Sequence, residues 1–149
     1  MEQCEEFKRS GTHYMILFIL TDGEIHDRAE VIDLLVQCNT LPISIIIVGI
    51  GEGDFAIMHE LDDDNCQMTD SRGNRTQRDL VQFVEFAKFS NNGIALAKEV
   101  LEELPRQVAE YYQLVNMSPE DVAKLFKEDD IKRVKMEMEE EEPNPYDRI

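Results

Sequence analysis

Two unbroken runs of apolar residues stand out along the chain, one from Tyr14 to Leu20 and one from Ile43 to Val48. A strand with one face in water alternates between apolar and polar side chains, and neither run does. Continuous apolar runs of this length are typical of strands covered on both faces, as in parallel sheets. A third segment, Leu80 to Val84, alternates and predicts a shorter strand. The pattern therefore indicates three main strands.

Apolar residues elsewhere recur at three- and four-residue spacing, which predicts helices. One helix is expected from about Asp27 to Cys38, and Asp54 is the expected N-cap of a short second one. Asn92 is expected to cap a long helix through about Val115, in which Pro105 either produces a kink or ends the first part. The charged segment up to about Ser10 is compatible with the end of another helix. The order strand, helix, strand, helix predicts an α/β fold, with parallel strands joined by right-handed crossovers.

The composition changes after Asn116. Ser118 followed by Pro119 and acidic residues is a typical helix start, which predicts a short helical extension over residues 116–135. Glu137 to Glu142 is nearly all acidic, and prolines follow it, so residues 136–149 are predicted to form a disordered acidic tail. The predicted organisation is therefore one α/β domain over residues 1–115 and two short C-terminal segments.

The charge balance narrows the range of partners. The chain has 149 residues, 42% of them hydrophobic, and a formal net charge of −17. A surface this acidic repels the phosphates of nucleic acids and anionic lipids. The negative charge is therefore explained by solubility, by a basic partner, or by a divalent cation that bridges the chain to an anionic partner. Cys4, Cys38 and Cys66 have neither disulfide-framework nor zinc-site spacing, so reduced thiols in an intracellular protein are expected. The polar N-terminus lacks signal-peptide character, and no apolar run could span a bilayer.

The triplet Thr21-Asp22-Gly23 directly follows the first predicted strand. Ligands of open α/β sheets bind at the carboxyl ends of the strands, so Asp22 could hold Mg²⁺ or Ca²⁺ there, directly or through water. The alternative is a strand-ending turn in which Asp22 caps the next helix. The triplet alone leaves both interpretations open.

Other motifs indicate structure rather than chemistry. The run Gly49 to Gly53 has Asp54 where a dinucleotide loop needs glycine, so a tight turn is the stronger interpretation. The cluster Asp62 to Asp64 lacks the ligand spacing of a calcium loop and predicts a solvated turn. The three histidines show no metal spacing; they are His13, His26 and His59. No nucleophile has a base placed beside it by the sequence, so no catalytic residue is predicted.

Four segments together resemble the von Willebrand A-type domain of the copine family. They are YMILFILTDGEIHDRAEVIDLLVQCNTLPISIIIVGIG at residues 14–51, GDFAIMHELDDDN at 53–65, SRGNRTQRDLVQFVEF at 71–86 and ALAKEVLEELPRQVAEYY at 95–112. The resemblance runs from about residue 7 to 115 and implies a partial Rossmann-like fold with three main parallel strands. It also implies a cytoplasmic protein, peripheral at the plasma membrane, whose family binds phospholipid in response to Ca²⁺.

In that family, lipid binding belongs to N-terminal modules that this sequence does not contain, and the A domain recruits proteins. The resemblance therefore implies a non-enzymatic interaction domain with protein partners; a second possibility is a relative of the copine-domain ubiquitin ligases that lacks their RING. The family's metal-ion-dependent adhesion site combines an Asp-x-Ser-x-Ser loop, a threonine and the aspartate that corresponds to Asp22. Only Asp22 is present, so we expect no metal cofactor in this chain alone, and Mg²⁺ or Ca²⁺ if another chain supplies the rest.

The resemblance also places another strand of the family's sheet beside the Tyr14 to Leu20 strand. This sequence has no counterpart of it, so the strand is expected to have an exposed apolar flank. Three explanations fit: a fragment or incomplete gene model, a truncated paralogue that needs a partner, and a degenerate copy. We expect the first. The acidic tail either binds basic partners or is simply solvated.

Overall fold

The computed structural model describes residues 2–11, 13–23, 27–62, 67–89 and 91–140. A three-stranded parallel sheet forms its centre, with β1 at Met15–Thr21, β2 at Ile43–Gly49 and β3 at Val81–Glu85. The strand order is β1-β2-β3, so the first and last strands are both edges. The predicted α/β class and the three parallel strands are confirmed, and β3 begins one residue later than expected.

Helices precede, connect and follow the strands. The α-helices are α1 at Glu2–Ser10, α2 at Arg28–Cys38, α3 at Ala56–Leu61, α4 at Gly93–Val100, α5 at Leu104–Leu114 and α6 at Pro119–Glu140, and a short 3₁₀ helix spans Phe86–Phe89. The predicted helix over residues 27–38 is confirmed as α2. Asp54 is not the N-cap of α3, because that position belongs to Phe55, although the Asp54 carboxylate accepts a hydrogen bond from the Ala56 amide at 3.0 Å.

The long helix predicted after Asn92 is two helices. Asn92 caps the first as expected, with its side-chain oxygen accepting from the Ala95 amide at 3.0 Å. The break lies between Val100 and Leu104, and Pro105 falls in the first turn of α5. Proline lacks the amide that would bond to the carbonyl four residues back, and its ring clashes with that carbonyl, so α4 cannot run through. Of the two interpretations that the sequence left open, a kink or an end, the end of the first part of the helix is correct.

The core consists of two apolar clusters, one on each face of the sheet. The first joins side chains of α1, α2 and α3 to one face, including Leu35, Met58 and Phe83. The second joins α4 to the other face through Ile46, Val84 and Val100. Every residue of β2 is buried, because β2 is the central strand and both faces are covered there. Burial on both faces therefore explains the unbroken apolar run of β2, as predicted.

Helix α6 begins at a reciprocal cap. The Ser118 hydroxyl donates to the Asp121 carboxylate at 2.7 Å, and the Asp121 amide donates back to Ser118 at 3.2 Å. The helix continues to Glu140, beyond the expected end of the extension at residue 135. The disorder predicted for residues 136–149 stays a prediction, and residues 141–149 lie outside the described part. The proposed division into domains stays a prediction.

Candidate functional site

The most unusual surface of the molecule is strand β1. Its central side chains are all large and apolar, yet each is well exposed: Ile16 49%, Leu17 42%, Phe18 53%, Ile19 37% and Leu20 62%. These residues occupy both faces of the sheet, because neighbouring side chains of a strand point to opposite faces. Among the described elements, only β2 makes extensive contact with β1. The prediction that both faces of β1 are covered is therefore wrong. The exposed apolar flank that was expected beside this strand is present.

The outer edge of β1 also has a row of main-chain hydrogen-bonding groups. The Met15 amide donates to the Pro42 carbonyl and the Thr21 carbonyl accepts from the Ile50 amide, each at 2.7 Å, so the odd-numbered residues bond toward β2. Alternation along the strand then directs the amides and carbonyls of residues 16, 18 and 20 away from β2. We call this row, together with the exposed side chains from Ile16 to Leu20, the β1 edge.

The β1 edge has none of the features that normally protect an edge strand. Residues 15–21 include no charge, no proline and no glycine. Natural edges are usually blunted by lysines, prolines or bulges, since an unprotected apolar edge pairs with other strands. The register of β1 with β2 is regular over all seven residues, from Met15 opposite Ile43 to Thr21 opposite Gly49. The strand therefore pairs with β2 without a bulge over its whole length.

Asp22 lies directly after β1, exposed at the carboxyl end of the sheet. The turn around it is tight: Gly23 has a positive φ of 108°, and its amide donates to the Thr21 hydroxyl at 3.2 Å. Gly53 packs so closely that an added Cβ would lie 1.9 Å from the Asp22 carbonyl oxygen. Asp22 does not cap α2, whose N-cap is Asp27, so that alternative is wrong.

The described residues do not assemble a complete metal site around Asp22. Across those parts of the chain, no three side chains of histidine, cysteine, aspartate or glutamate converge as a metal ion would need. One carboxylate cannot supply the six or more oxygens that Ca²⁺ prefers or the octahedron of Mg²⁺. Asp22 as a metal ligand therefore stays a prediction, and no chemistry is assigned through it.

The other sequence motifs have structural roles where they are described. Asp62 accepts a hydrogen bond from the Phe83 amide at 2.7 Å and so links the end of α3 to β3, while residues 63–66 lie outside the described part. Gly51 has a positive φ of 92°, which confirms the tight turn predicted for the glycine run. His13 stacks on Phe7 with a centroid distance of 4.8 Å, and His26 lies outside the described residues.

His59 and Lys88 meet at a carboxylate on the opposite edge of the sheet from β1. Glu85, the last residue of β3, accepts from His59 Nε2 at 2.6 Å and pairs with Lys88 Nζ at 2.9 Å. The hydrogen bond from Lys88, and after it the one from His59, holds the pKa of Glu85 below its usual range. The cluster ties α3 and the 3₁₀ turn to β3.

A buried arginine organises the end of the sheet where β1 and β2 begin. Arg78 is 7% exposed, and its guanidinium donates to five oxygens between 2.7 and 3.3 Å away: the carbonyls of Asn39, Leu41, Ile43 and Asp79 and the hydroxyl of Tyr14. It also lies 5.5 Å from the centre of the Tyr111 ring. The sequence marked Arg78 only as part of a segment that resembles the copine family and assigned it no structural role, because carbonyl partners leave no residue pattern.

Tyr14 connects this arginine to the N-terminal end of β1. Its hydroxyl shares a hydrogen bond of 2.9 Å with the Ser44 hydroxyl, and its ring meets Tyr111 edge-on at 5.7 Å. Burial raises the pKa of the Tyr14 phenol, and the charge of Arg78 opposes that rise. These contacts hold the start of β1 in position while the rest of the strand stays exposed.

A second apolar feature lies between α5 and α6. It is a groove of about 510 Å³ lined by Tyr14, Val108, Ala109, Tyr112, Gln113, Met117, Pro119, Val122, Ala123 and Phe126. The two helices diverge at Asn116, which has a positive φ of 56°. The groove was not predicted, because it depends on how α6 folds back against α5 and not on a local residue pattern. No described helix has both the length and the apolar composition needed to cross a membrane.

The parallel sheet with helices on both faces, and an aspartate directly after an apolar strand, defines an α/β domain of the von Willebrand A kind. The family model described as Copine matches residues 1–120. The chain belongs to the copine family, as the sequence motifs predicted.

Curated relatives agree with this assignment. Copine-C of Dictyostelium discoideum is 48% identical over 106 residues, which cover 71% of this chain and 20% of that protein. Copine-D of the same organism is 38% identical over 119 residues, covering 80% of this chain and 22% of the relative. Copine-E of the same organism is 45% identical over 107 residues, which cover 71% of this chain and 18% of that relative. The chain thus spans about a fifth of the length of the curated relatives it matches.

Proposed function

We propose that this chain is a non-enzymatic protein-interaction domain whose contact surface is the β1 edge. The observation that supports it is the exposure of five consecutive large apolar side chains, between 37% and 62%, on a strand with free main-chain groups. Contiguous exposed apolar surface of this kind marks interaction sites. Strand addition supplies main-chain hydrogen bonds for affinity and side-chain contacts for specificity.

The same proposal includes a cytoplasmic role beside calcium-dependent phospholipid binding in the copine family. In this view the chain contacts proteins, and any contact with anionic phospholipid belongs to other modules. The net charge of −17 supports this division, because the chain alone repels an anionic membrane. A flotation assay with phosphatidylserine vesicles should leave the chain in the unbound fraction with and without Ca²⁺. Calcium-dependent flotation of the chain would contradict the division.

The interaction surface can be tested by site-specific photo-crosslinking. A photoreactive phenylalanine analogue at position 18 should yield discrete cross-linked protein products in cells. The matched control carries the same analogue at Ile94, which is 86% exposed on α4, away from the β1 edge. Products of equal intensity from both positions, or none from position 18, would rule out the β1 edge as the contact surface.

A further inference from the structure

We propose that three side chains close the outer edge of β3 to strand addition, so that a partner strand cannot extend the sheet at that side. They are the side chains of Asp62, Asp79 and Gln107. In the described sheet β3 is an edge strand, with β2 as its neighbour. An open edge offers unpaired amides and carbonyls to any incoming strand. The consequence for partner choice rests on the proposed function, whereas the closure itself does not.

The direction of the main-chain groups of β3 follows from its pairing with β2. The Ile45 amide donates to the Leu80 carbonyl at 2.7 Å, and Ile45 lies opposite Val81 in the parallel register. A residue in a parallel ladder bonds to the two residues that flank its opposite number, so the even-numbered residues of β3 bond toward β2. The amides and carbonyls of residues 81, 83 and 85 therefore face away from β2. We call this row the β3 edge.

Two amides of the β3 edge donate to carboxylates. The Phe83 amide donates to Asp62 Oδ1 at 2.7 Å, and the Val81 amide donates to Asp79 Oδ1 at 3.1 Å. Asp62 directly follows α3, so the end of that helix brings its carboxylate to the middle of the strand. An incoming strand would have to displace hydrogen bonds to a charged acceptor, which are roughly twice as strong as those between neutral groups.

The outward carbonyl of Val81 also has a side-chain partner. Gln107 Nε2 donates to that carbonyl at 3.3 Å and to Asp79 Oδ2 at 2.7 Å. Gln107 lies on α5 and is 1% exposed, although glutamine is usually found at the surface. Burying an amide costs free energy unless it is hydrogen-bonded, so these contacts explain the residue better than packing does.

The closure makes β3 a poor surface for strand addition. Three of the four main-chain groups of residues 81 and 83 have side-chain partners, and the side chains from Val81 to Val84 are buried. A sheet that was open at both β1 and β3 could pair β1 of one copy with β3 of the next. Such a head-to-tail contact does not close on itself and leads to fibres. Closing β3 prevents this growth.

Amide hydrogen exchange of Phe83 tests the closure. Asp62→Ala removes the acceptor, so the Phe83 amide should exchange at least about tenfold faster relative to the Ile47 amide of the central strand. Asp62→Asn keeps an oxygen at the same position and should retain the exchange rate of the parent chain. Gly53→Ala disturbs the turn at Asp22 instead and should leave the ratio of the two rates unchanged. An unchanged ratio in Asp62→Ala would refute the role of this carboxylate.

Sedimentation velocity tests the consequence. Between about 1 and about 200 µM, the double variant Asp62→Ala/Gln107→Met should form species larger than any that the parent chain forms. The Phe83 amide should become slow again at the higher concentration, because a neighbouring strand then accepts its hydrogen bond. Gly53→Ala is destabilised without an opened edge and should sediment as the parent chain. A double variant that sediments as Gly53→Ala does, or that associates while the Phe83 amide stays fast, would overturn the inference.

Each single variant is measured beside the double variant, with Asp62→Asn as the control that keeps the edge closed. Cross-linking at position 18 reports on the other edge of the sheet. Its failure would contradict the proposed function and leave the closure of β3 intact. Conversely, parent-like sedimentation of every opened variant would refute the closure, and cross-links at position 18 would still support the β1 edge.

Discussion

Replacing Arg78 with methionine should destabilise the domain more than any surface charge does. The substitution keeps a long, flexible side chain and most of its packing, but it removes every donor of the guanidinium. Two of the acceptors depend on that donor: the Asn39 carbonyl after α2, at 3.1 Å, and the Ile43 carbonyl at the start of β2, at 2.7 Å. Ile43 lies before the point where β3 begins its pairing with β2 at Ile45, so no strand neighbour can replace the arginine.

The magnitude follows from those two acceptors. A buried polar group left without its partner costs ~1–3 kcal/mol, so two of them predict a loss of roughly 2–6 kcal/mol in the free energy of unfolding. The contact with the Tyr111 ring adds to the loss, and removing the cost of burying a charge reduces it. Since a domain has only about 5–15 kcal/mol of stability in total, the Arg78→Met protein should be visibly less stable.

Urea denaturation followed by circular dichroism measures this loss as a lower midpoint with an unchanged slope. Arg106→Met is the matched control, because Arg106 is 42% exposed and forms ion pairs with Asp79 and two glutamates. Because the Arg106 end of these pairs is exposed to solvent, we expect each pair to contribute ~0–1 kcal/mol. Equal losses for the two variants, or a loss below about 1 kcal/mol at Arg78, would refute the view that carbonyl capping holds this end of the sheet.

Three further changes test other contacts. Glu85→Gln should lower the free energy of unfolding at neutral pH, because the pKa of Glu85 is depressed in the fold. The stabilisation by Glu85 is present above the unfolded pKa of about 4.3 and is lost as the pH falls through the folded pKa. Plots of unfolding free energy against pH for the two proteins should therefore converge in acid. Ser118→Ala should cost about 1 kcal/mol of α6 stability, seen as faster amide exchange in its first turn. Gly53→Ala should cost on the order of 2 kcal/mol or more in urea denaturation, since its Cβ would overlap the Asp22 carbonyl, whereas Gly93→Ala, with open space around the site, should be close to neutral.

The strand and helix order was predictable because it depends on local patterns. The unbroken apolar runs located β1 and β2, and three- and four-residue spacing located α2. The break between α4 and α5 was open, since a proline in a helical pattern is compatible with a kink or an end. It is an end because Pro105 falls where its ring would meet the carbonyl of residue 101, and the chain turns there instead.

Long-range polar contacts could not be predicted. Nothing near Arg78 in the sequence shows that its guanidinium reaches carbonyls after α2, which are about forty positions earlier. Likewise, Asn39 is an ordinary helix-ending residue in sequence, yet its side chain donates to the Arg78 carbonyl at 2.9 Å and accepts from the Gln77 amide at 2.7 Å. Such contacts depend on where the sheet brings two distant segments together, and residue spacing contains no trace of that.

The β1 edge is where local pattern and tertiary structure disagree most, and the disagreement carries the functional argument. An apolar run of this kind indicates burial on both faces, but about half of each central side chain of β1 is exposed. Fully burying a large apolar side chain is worth roughly 1.5–3 kcal/mol, so the exposed halves of five of them amount to at most about 4–8 kcal/mol of apolar stabilisation that the described residues do not use. The value is comparable to the whole stability of a domain. A strand that covers this edge would recover part of that value after the cost of association, and this is the reason that β1 is proposed as a contact surface.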